Sequence, residues 1–235
     1  MNLTEDFGDA YFVKRIKTKK QRMEMHRLDF NWVRARLREI GHNRAKILDV
    51  GCSDGAFLNQ FPKDQFELFG IESNEQEAKK SKRLGIQILD TQSTFKNFDI
   101  VIIRGTLHHL PNSQEFIDQL SLSFSNSNSD IGKFFFALAN PNSESLLYRK
   151  FGTLPALEKE ATFDSLFKVW GGKELANLLE RKGAQVDLSY PYFRTPYRNL
   201  FTDPINVLFS LTSNTYRDAA FPKNMFNLAA KFPLK

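Results

Sequence analysis

The sequence has little of what marks secreted or membrane proteins. It contains one cysteine, Cys52, in 235 residues, so an internal disulfide cannot form and a scaffold held by disulfides is excluded. No apolar run approaches the roughly 18 residues of a membrane-spanning helix. The run Phe134 to Ala139 (FFFALA) has the length of a buried strand. Residues 1–9 are polar and acidic, without the apolar core of a secretion signal. We therefore expect a soluble, cytoplasmic protein.

What the chain does have is the composition of a folded domain. Hydrophobic residues make up 41% and charged residues 26% of the sequence, and 23 phenylalanines dominate the aromatic residues. Such a chain can bury a large core, which excludes a disordered or low-complexity protein.

The net charge of +6 is concentrated near the start of the chain. The segment Lys14 to Arg38 holds ten basic residues against Glu24 and Asp29, a local charge of +8. One interpretation is a surface for nucleic acid or an anionic substrate. The other is the solvated side of an amphipathic helix. The apolar stripe of that helix would consist of Met25, Leu28, Trp32 and Ala35.

From Lys46 onward, strand patterns alternate with helix patterns. The predicted strands cover residues 46–51, 66–72, 86–89, 98–103, 133–139, 185–190 and 225–231. The pattern predicts an α/β fold, a doubly wound and mostly parallel seven-stranded sheet with helices on both faces. We expect residues 1–43 to form a basic helical extension and residues 44–235 the main domain. Residues 140–221, rich in aromatic side chains, are predicted to include substrate-side insertions that form a lid.

Helices are predicted between these strands. One covers residues 53–61, and another begins at Ser73, where Ser73 and Gln76 have the spacing of a capping box. Gly85 is placed to end the second helix. Because ligands of such sheets bind beyond the carboxyl ends of the strands, the turns that follow the strands are where a site is expected.

The first of these turns reads DVGCSDGAF over residues 49–57. A dinucleotide-binding fingerprint needs small residues at its first, third and sixth places, which here are Gly51, Ser53 and Ala56, but its third place is normally glycine. Gly55 falls where that motif needs nothing. The acidic Asp49, two residues before the first glycine, with glycines at 51 and 55, resembles motif I of the class I S-adenosylmethionine-dependent methyltransferases.

The resemblance continues over about residues 44–140. Glu72, 23 residues after Asp49, stands where this family binds both ribose hydroxyls, and Asp90 stands where it often meets adenine. The segment FDIVIIRGTLHHL, residues 98–110, is similar to the fourth motif of the family. The chain departs from the family at Ser53, where a middle glycine is usual. The resemblance implies S-adenosylmethionine as the cofactor.

The resemblance and the chemistry of the cofactor together imply a set of contacts. Asp49 and the Gly51 carbonyl suit the ammonium group, while Gly55 shapes the loop. The remaining expected cofactor contacts are Cys52, Ser53 and Phe57 along the methionine arm, Ser73 and Thr91 along the adenine slot, and Arg104 and Gly105 after the fourth strand. The alternatives are that Asp49 only bonds loop amides, that Glu72 is a solvated strand end and that Asp90 is a turn residue.

The expected catalytic candidates are His108 and His109, at the exit of the fourth strand. An imidazole is suited to removing the proton of a hydroxyl acceptor near neutral pH. The alternative is that both histidines only shape the entry of the following helix. No Asn-Pro-Pro-Tyr signature follows this strand, so methylation of an amino group in nucleic acid has no support. No acidic cluster follows it either, and we expect no metal.

The sequence therefore predicts a methyltransferase of small molecules, acting by O-methylation on a sugar or another metabolite. The substrate is expected to be small and anionic or sugar-containing. One alternative is a protein that binds or methylates RNA through the basic segment, with an affinity that falls steeply with salt. A nicotinamide-dependent oxidoreductase is a third hypothesis, which the glycine spacing disfavours.

Overall fold

The computed structural model describes residues 19–37, 45–90, 95–127, 132–145, 148–149, 168–190 and 225–233. Its helices are α1 (Lys19–Leu37), α2 (Glu75–Arg83), α3 (Ser113–Ser125) and α4 (Gly172–Arg181). Its strands are β1 (Ala45–Val50), β2 (Phe66–Ile71), β3 (Gln87–Leu89), β4 (Ile100–Arg104), β5 (Lys133–Pro141), β6 (Gln185–Ser189) and β7 (Met225–Phe232). Short 3₁₀ turns cover Leu58–Gln60, Phe95–Asn97 and Leu107–His109.

The strands form one sheet in the order β3-β2-β1-β4-β5-β7-β6. Strands β1 to β5 pair in parallel, whereas β7 pairs antiparallel with both β5 and β6. The order reverses at β1, which lies between β2 and β4. In doubly wound sheets, ligands bind at such a switch point beyond the carboxyl ends of the strands. The predicted mostly parallel seven-stranded sheet is confirmed.

Helices cover both faces of the sheet, as predicted. On one face, α3 and α4 bury leucines such as Leu120 and Leu179 against Phe135 and other side chains of the strands. On the other face, α1 buries Phe30 and Val33 in the same cluster as Ile102, Phe136 and Phe61. The two clusters are the hydrophobic layers that hold the strand ends in place.

Helix α1 buries a different side from the one that the apolar pattern predicted. Leu28 is 43% exposed and Ala35 is exposed as well, so the expected stripe is wrong at these two residues, whereas Trp32 is half-buried and packs against the core. The buried residues are His26, Asp29, Phe30, Val33 and Leu37. Two of these five are polar, which interrupts the apolar pattern and shifts the apparent stripe.

Contacts along α1 fix it to the main sheet. The rings of Phe30 and Phe61 pack edge to face, with 5.0 Å between their centroids, and those of Trp32 and Phe136 do so with 6.1 Å. Near the end of the helix, Nε of Arg36 donates to the Asp187 carboxylate on β6 at 2.7 Å. The basic helix therefore packs as a layer of the fold, although it was predicted as an extension.

Two local predictions were wrong. Residues 53–61 form turns and one short 3₁₀ turn instead of an α-helix, because Ser53 and Gly55 have φ of +51° and +74°, which no right-handed helix allows. Helix α2 is capped by Asn74 and not by Ser73. The Asn74 side chain accepts from the Glu77 N–H at 3.0 Å.

Most of the aromatic segment 140–221 lies outside the described residues, so the predicted lid is untested. Trp170, at its described end, is 2% exposed, and its indole N–H donates to the Ser113 hydroxyl at 3.1 Å. Among the described helices, none is long and apolar enough to cross a membrane.

Candidate cofactor site

The loop after β1, residues 51–57, is tied to the end of β2 through its backbone. The N–H groups of Gly51 and Cys52 both donate to the Ile71 carbonyl, at 2.8 and 3.1 Å. Gly51 has φ of +78°, and a Cβ at this position would lie 2.5 Å from Oγ1 of Thr106. Both the backbone conformation and the close approach of the β4 exit therefore require glycine here.

Ser53 takes the conformation that glycine would prefer at its place in the loop. Its φ is +51°, which is unfavourable for a residue with a side chain. Two carboxylates offset this cost. The Ser53 N–H donates to Oε2 of Glu72 at 2.8 Å, and its hydroxyl donates to Oε2 of Glu77 at 3.1 Å. The departure from the family pattern is thus accommodated by local hydrogen bonds.

Glu72 follows β2 and is held by backbone donors. Oε2 accepts from Ser53 N–H, and Oε1 accepts from Asn74 N–H at 2.9 Å. Burial raises the pKa of Glu72, and these backbone hydrogen bonds oppose the rise. A hydrogen bond from the Ser73 backbone lowers its pKa as well. A carboxylate has about four acceptor sites on its two oxygens, so beside these three backbone donors Glu72 keeps an acceptor site for a hydroxyl group of a ligand.

Asp49, near the end of β1, is a buried carboxyl group of the site. Its side chain is 2% exposed, and within the described part of the chain Oδ1 has no hydrogen-bond partner. Burial raises the pKa of Asp49 to about 7; the Arg104 charge lowers it and the Glu72 charge raises it. Buried polar atoms without partners are rare and costly, so this oxygen marks a place for a donor from outside the chain. A cationic donor fits it best.

The other predicted loop residues lie close by but face different ways. The sulfur of Cys52 is 3.8 Å from Oγ of Ser81 on α2, and a Cβ on Gly70 of β2 would approach it to 2.5 Å. Burial raises the pKa of this thiol further above its usual range, so Cys52 is no nucleophile. Its sulfur faces the core, and the expected contact with the cofactor would have to come from its backbone. Gly55 has equally little room, because a Cβ added there would lie 2.7 Å from Oγ of Ser81.

Phe57 ends the loop beneath α1. It is 3% exposed, its ring lies edge to face with that of His26 at 6.1 Å, and the Arg104 guanidinium carbon is 5.6 Å from its centroid. The loop, α1 and the end of β4 therefore meet at this ring.

The residues expected along the adenine slot are only partly placed. Ser73 follows Glu72 and is half-buried, whereas Asp90 follows β3 and is exposed. Thr91 lies outside the described residues. The structure thus brings together the ends of β1, β2 and β4, and leaves the outer edge at β3 with an exposed carboxylate.

The residues after β4 lie beside the loop, because the Thr106 side chain approaches Gly51 closely. Gly105 donates its N–H to the Leu138 carbonyl at 2.8 Å, which fixes the turn to β5. His108 and His109 follow in a 3₁₀ turn, both 2% exposed, with ring centroids 3.9 Å apart. Both candidate bases are thus buried near the cofactor loop.

Sequence reasoning missed three titratable residues of this region. Glu77 holds the Ser53 hydroxyl; His26 contacts Phe57; and Asp29, with 1% of its side chain exposed, accepts from Nε of Arg104 at 2.9 Å. His26, Asp29 and Val33 recur at three- and four-residue spacing. A search for a helical stripe that admits polar residues would have found the first two.

The site is built for a cationic ligand with hydroxyl groups and not for a pyrophosphate. The carboxyl group of Asp49 lies at the loop itself and opposes the approach of a phosphate, whereas an acidic residue after the second strand, such as Glu72, also occurs in dinucleotide-binding folds. The loop also leads into turns, so residues 51–61 offer no α-helix N-terminus of the kind that binds phosphate. This chemistry disfavours a nicotinamide dinucleotide.

Comparison with protein families identifies a match over residues 24–189 to a family model described as a methyltransferase domain. This match covers 166 of the 235 residues and includes most of α1. A comparison with curated proteins gives no match.

Solved structures show the same fold at low sequence identity. A S-adenosylmethionine-dependent methyltransferase from Archaeoglobus fulgidus is similar with a TM-score of 0.56 and 20% identity, over 95% of this chain and 100% of the other. A possible histamine N-methyltransferase from Thermotoga maritima matches with a TM-score of 0.52 and 15% identity, over 96% and 97%. The plantazolicin methyltransferase BpumL, in complex with S-adenosylhomocysteine and a triazolic desmethylPZN analogue, matches with a TM-score of 0.55 and 15% identity. The match covers 96% of this chain and 89% of the other.

Proposed function

Since the chain belongs to the family of methyltransferase domains, we propose that it transfers the methyl group of S-adenosylmethionine to a small-molecule acceptor. The observation that carries this proposal is a pair of carboxyl groups, buried Asp49 and half-buried Glu72, at the ends of neighbouring parallel strands. Asp49 has an oxygen without a partner among the described residues, and Glu72 is fixed by backbone donors with acceptor capacity left. Together they match a ligand with an ammonium group and hydroxyl groups.

Each residue of the site has a task in this function. Asp49 binds the ammonium group, Glu72 accepts from the ribose hydroxyls, and Gly51 lets the loop backbone approach the ligand. When bound, S-adenosylmethionine supplies a methyl group that is already activated on a sulfonium. The chain therefore contributes mainly orientation and exclusion of water.

The acceptor atom in this proposal is a hydroxyl oxygen of a sugar or another metabolite. A hydroxyl must lose its proton on methylation, and His108 and His109 supply two buried imidazoles at the β4 exit, next to the loop. One similar protein is named as a possible histamine N-methyltransferase, which supports a small acceptor but names a nitrogen as the methylated atom. A crystal structure with S-adenosylhomocysteine tests the role of the histidines. We expect one imidazole to face the cavity beside the sulfur, and a cavity that neither ring reaches would contradict a base role.

Equilibrium dialysis with radiolabelled S-adenosylmethionine tests the cofactor directly. We expect saturable binding that S-adenosylhomocysteine displaces and NAD does not. Displacement by NAD at similar concentration would favour the oxidoreductase hypothesis instead.

One cation of the basic segment on which the RNA alternative rests is engaged within the fold. Arg36 pairs with Asp187, and its guanidinium carbon lies 3.5 Å from the centroid of the Trp32 ring. This cation of the basic segment therefore serves the packing of α1 on the sheet.

A further inference from the structure

Helix α1 carries a buried carboxylate that the proposed reaction does not use. The side chain of Asp29 is 1% exposed, on a side of the helix where Phe30 and Val33 are also buried. Burying an ionised carboxylate costs several kcal/mol unless it is paired and hydrogen-bonded. The partners of Asp29 therefore indicate what the residue does.

Two side chains of the sheet donate to Asp29. Nε of Arg104, the last residue of β4, donates to Oδ2 at 2.9 Å, and Nδ2 of Asn227 on β7 donates to Oδ1 at 3.4 Å. Asn227 is itself fixed, because its Oδ1 accepts from the Ala139 N–H at 2.7 Å, where the pairing of β5 with β7 is interrupted. Asp29 thus joins α1 to the carboxyl end of β4.

The guanidinium of Arg104 lies near a second carboxyl group, that of Asp49. Asp49 pairs with Ile102 in the parallel register of β1 and β4, and Arg104 comes two residues after Ile102, so the two side chains are on the same face of the sheet. The charge of Arg104 lowers the pKa of Asp49, against the rise caused by burial. The Arg104 side chain is only 16% exposed, so little water screens this interaction. One guanidinium therefore interacts with a carboxyl group on α1 and with another at the end of β1.

We propose that Asp29 is a positioning residue of the cofactor site: through its ion pair with Arg104 it keeps the guanidinium from pairing with Asp49, so that Asp49 remains available to a cationic ligand. The inference rests on the proposed function, in which Asp49 binds the ammonium group of S-adenosylmethionine. Without Asp29, the guanidinium of Arg104 turns to Asp49 and competes with that ammonium. The docking of α1 is thereby part of cofactor binding.

Other charged groups around Asp49 must be considered in any test that varies pH. Glu72 faces it from β2 and Cys52 from the loop, while α1 brings His26 against Phe57 as well as Asp29 against Arg104. Asp29→Asn and Arg104→Gln change only the pair between α1 and β4 and leave these other groups in place.

Calorimetric titration with S-adenosylhomocysteine of the wild type, Asp29→Asn and Arg36→Gln tests the proposal. Arg36→Gln is a matched control, because it removes the other ion pair between α1 and the sheet, away from the loop. We expect Asp29→Asn to weaken binding at least fivefold at pH 8 and to shift the pH midpoint of binding downward. The control should bind within twofold of the wild type, with an unchanged midpoint.

A double-mutant cycle with Arg104→Gln separates positioning from general support of the fold. If Asp29 acts through Arg104, adding Asp29→Asn to Arg104→Gln should change the affinity less than twofold. The double variant leaves neither charge of the pair buried without its partner, so it can be measured even if Asp29→Asn alone fails to fold. Three outcomes would overturn the inference and leave the proposed function standing. They are an unchanged affinity of Asp29→Asn, an equal loss of affinity in Asp29→Asn and Arg36→Gln, and additive losses of affinity in the cycle. Absence of binding to the wild type would overturn the proposed function and the inference with it.

Discussion

Single residues of the loop and of the strand ends define the ligand that this site accepts. Glu72 is fixed by backbone donors that include the N–H groups of Ser53 and Asn74. The strand pattern indicated its position at the end of β2, and the family resemblance implied its role. The conformation of Ser53 could not be predicted in the same way. It depends on Glu77, 24 residues away, whose position is known only once α2 packs beside the loop.

Glu72→Ala should weaken the binding of S-adenosylhomocysteine by about 1 to 3 kcal/mol, the usual cost of losing hydrogen bonds to a charged group. The measurement is calorimetric titration at pH 8. Glu67→Ala is the matched control, because Glu67 lies on the same strand but pairs only at the surface, with Lys46 at 3.9 Å. Equal affinities of the two variants would show that another residue holds the ribose.

Gly51→Ala should destabilise the protein more than Gly183→Ala. Both residues have positive φ, +78° and +87°, so alanine is strained at either one. Only at Gly51 would the new Cβ clash, 2.5 Å from Oγ1 of Thr106, whereas no atom lies within 4 Å at Gly183. We expect a difference in the free energy of unfolding of at least about 1 kcal/mol from this overpacking. Denaturant titration of both variants measures it, and equal losses would show that Thr106 moves aside without cost.

Among the secondary-structure elements, α1 is the one whose role changed most between sequence and structure. Its charge predicted an extension, but its buried side packs on the same cluster as β4 and β5. The misplaced stripe has a physical cause. Asp29 is buried with Arg104 and Asn227 as donors, which are 75 and 198 residues away, and no local pattern shows those partners.

Phe30→Ala should lower the free energy of global unfolding by about 3 kcal/mol, because it leaves a cavity beside Phe61. Leu28→Ala, on the exposed side of the same helix, should change it by no more than about 0.5 kcal/mol. Denaturant unfolding followed by a sheet signal is the measurement. If α1 were an independent extension, neither variant would affect that transition.

For the whole molecule, the buried carboxyl of Asp49 links stability to pH. Its pKa rises from 3.8 in the unfolded chain to about 7 in the folded protein, so the folded state holds the proton more tightly. The contribution of this group to stability is full below about pH 4 and is lost as the pH rises through about 7. Asp49→Asn cannot ionise and should lack that loss.

Thermal or denaturant unfolding of the wild type and of Asp49→Asn between pH 4 and 8 checks this linkage. As the pH rises over this range, the free energy of unfolding of the variant should increase relative to that of the wild type by a few kcal/mol, at about 1.4 kcal/mol per unit of pKa shift. A constant difference between the two proteins would show that Asp49 is already ionised in the folded state at low pH.

The same carboxyl group gives the central claim its most direct test, which is the calorimetric titration of S-adenosylhomocysteine into the wild type and Asp49→Asn at pH 6 and pH 8. Because the ammonium group of the ligand pairs with ionised Asp49, wild-type affinity should rise by up to about tenfold per pH unit below pH 7 and level off above it. Asp49→Asn should bind at least tenfold more weakly at pH 8 and show little change with pH. Failure of the wild type to bind, or equal affinity of the two proteins at pH 8, would contradict the assignment of this loop as the S-adenosylmethionine site.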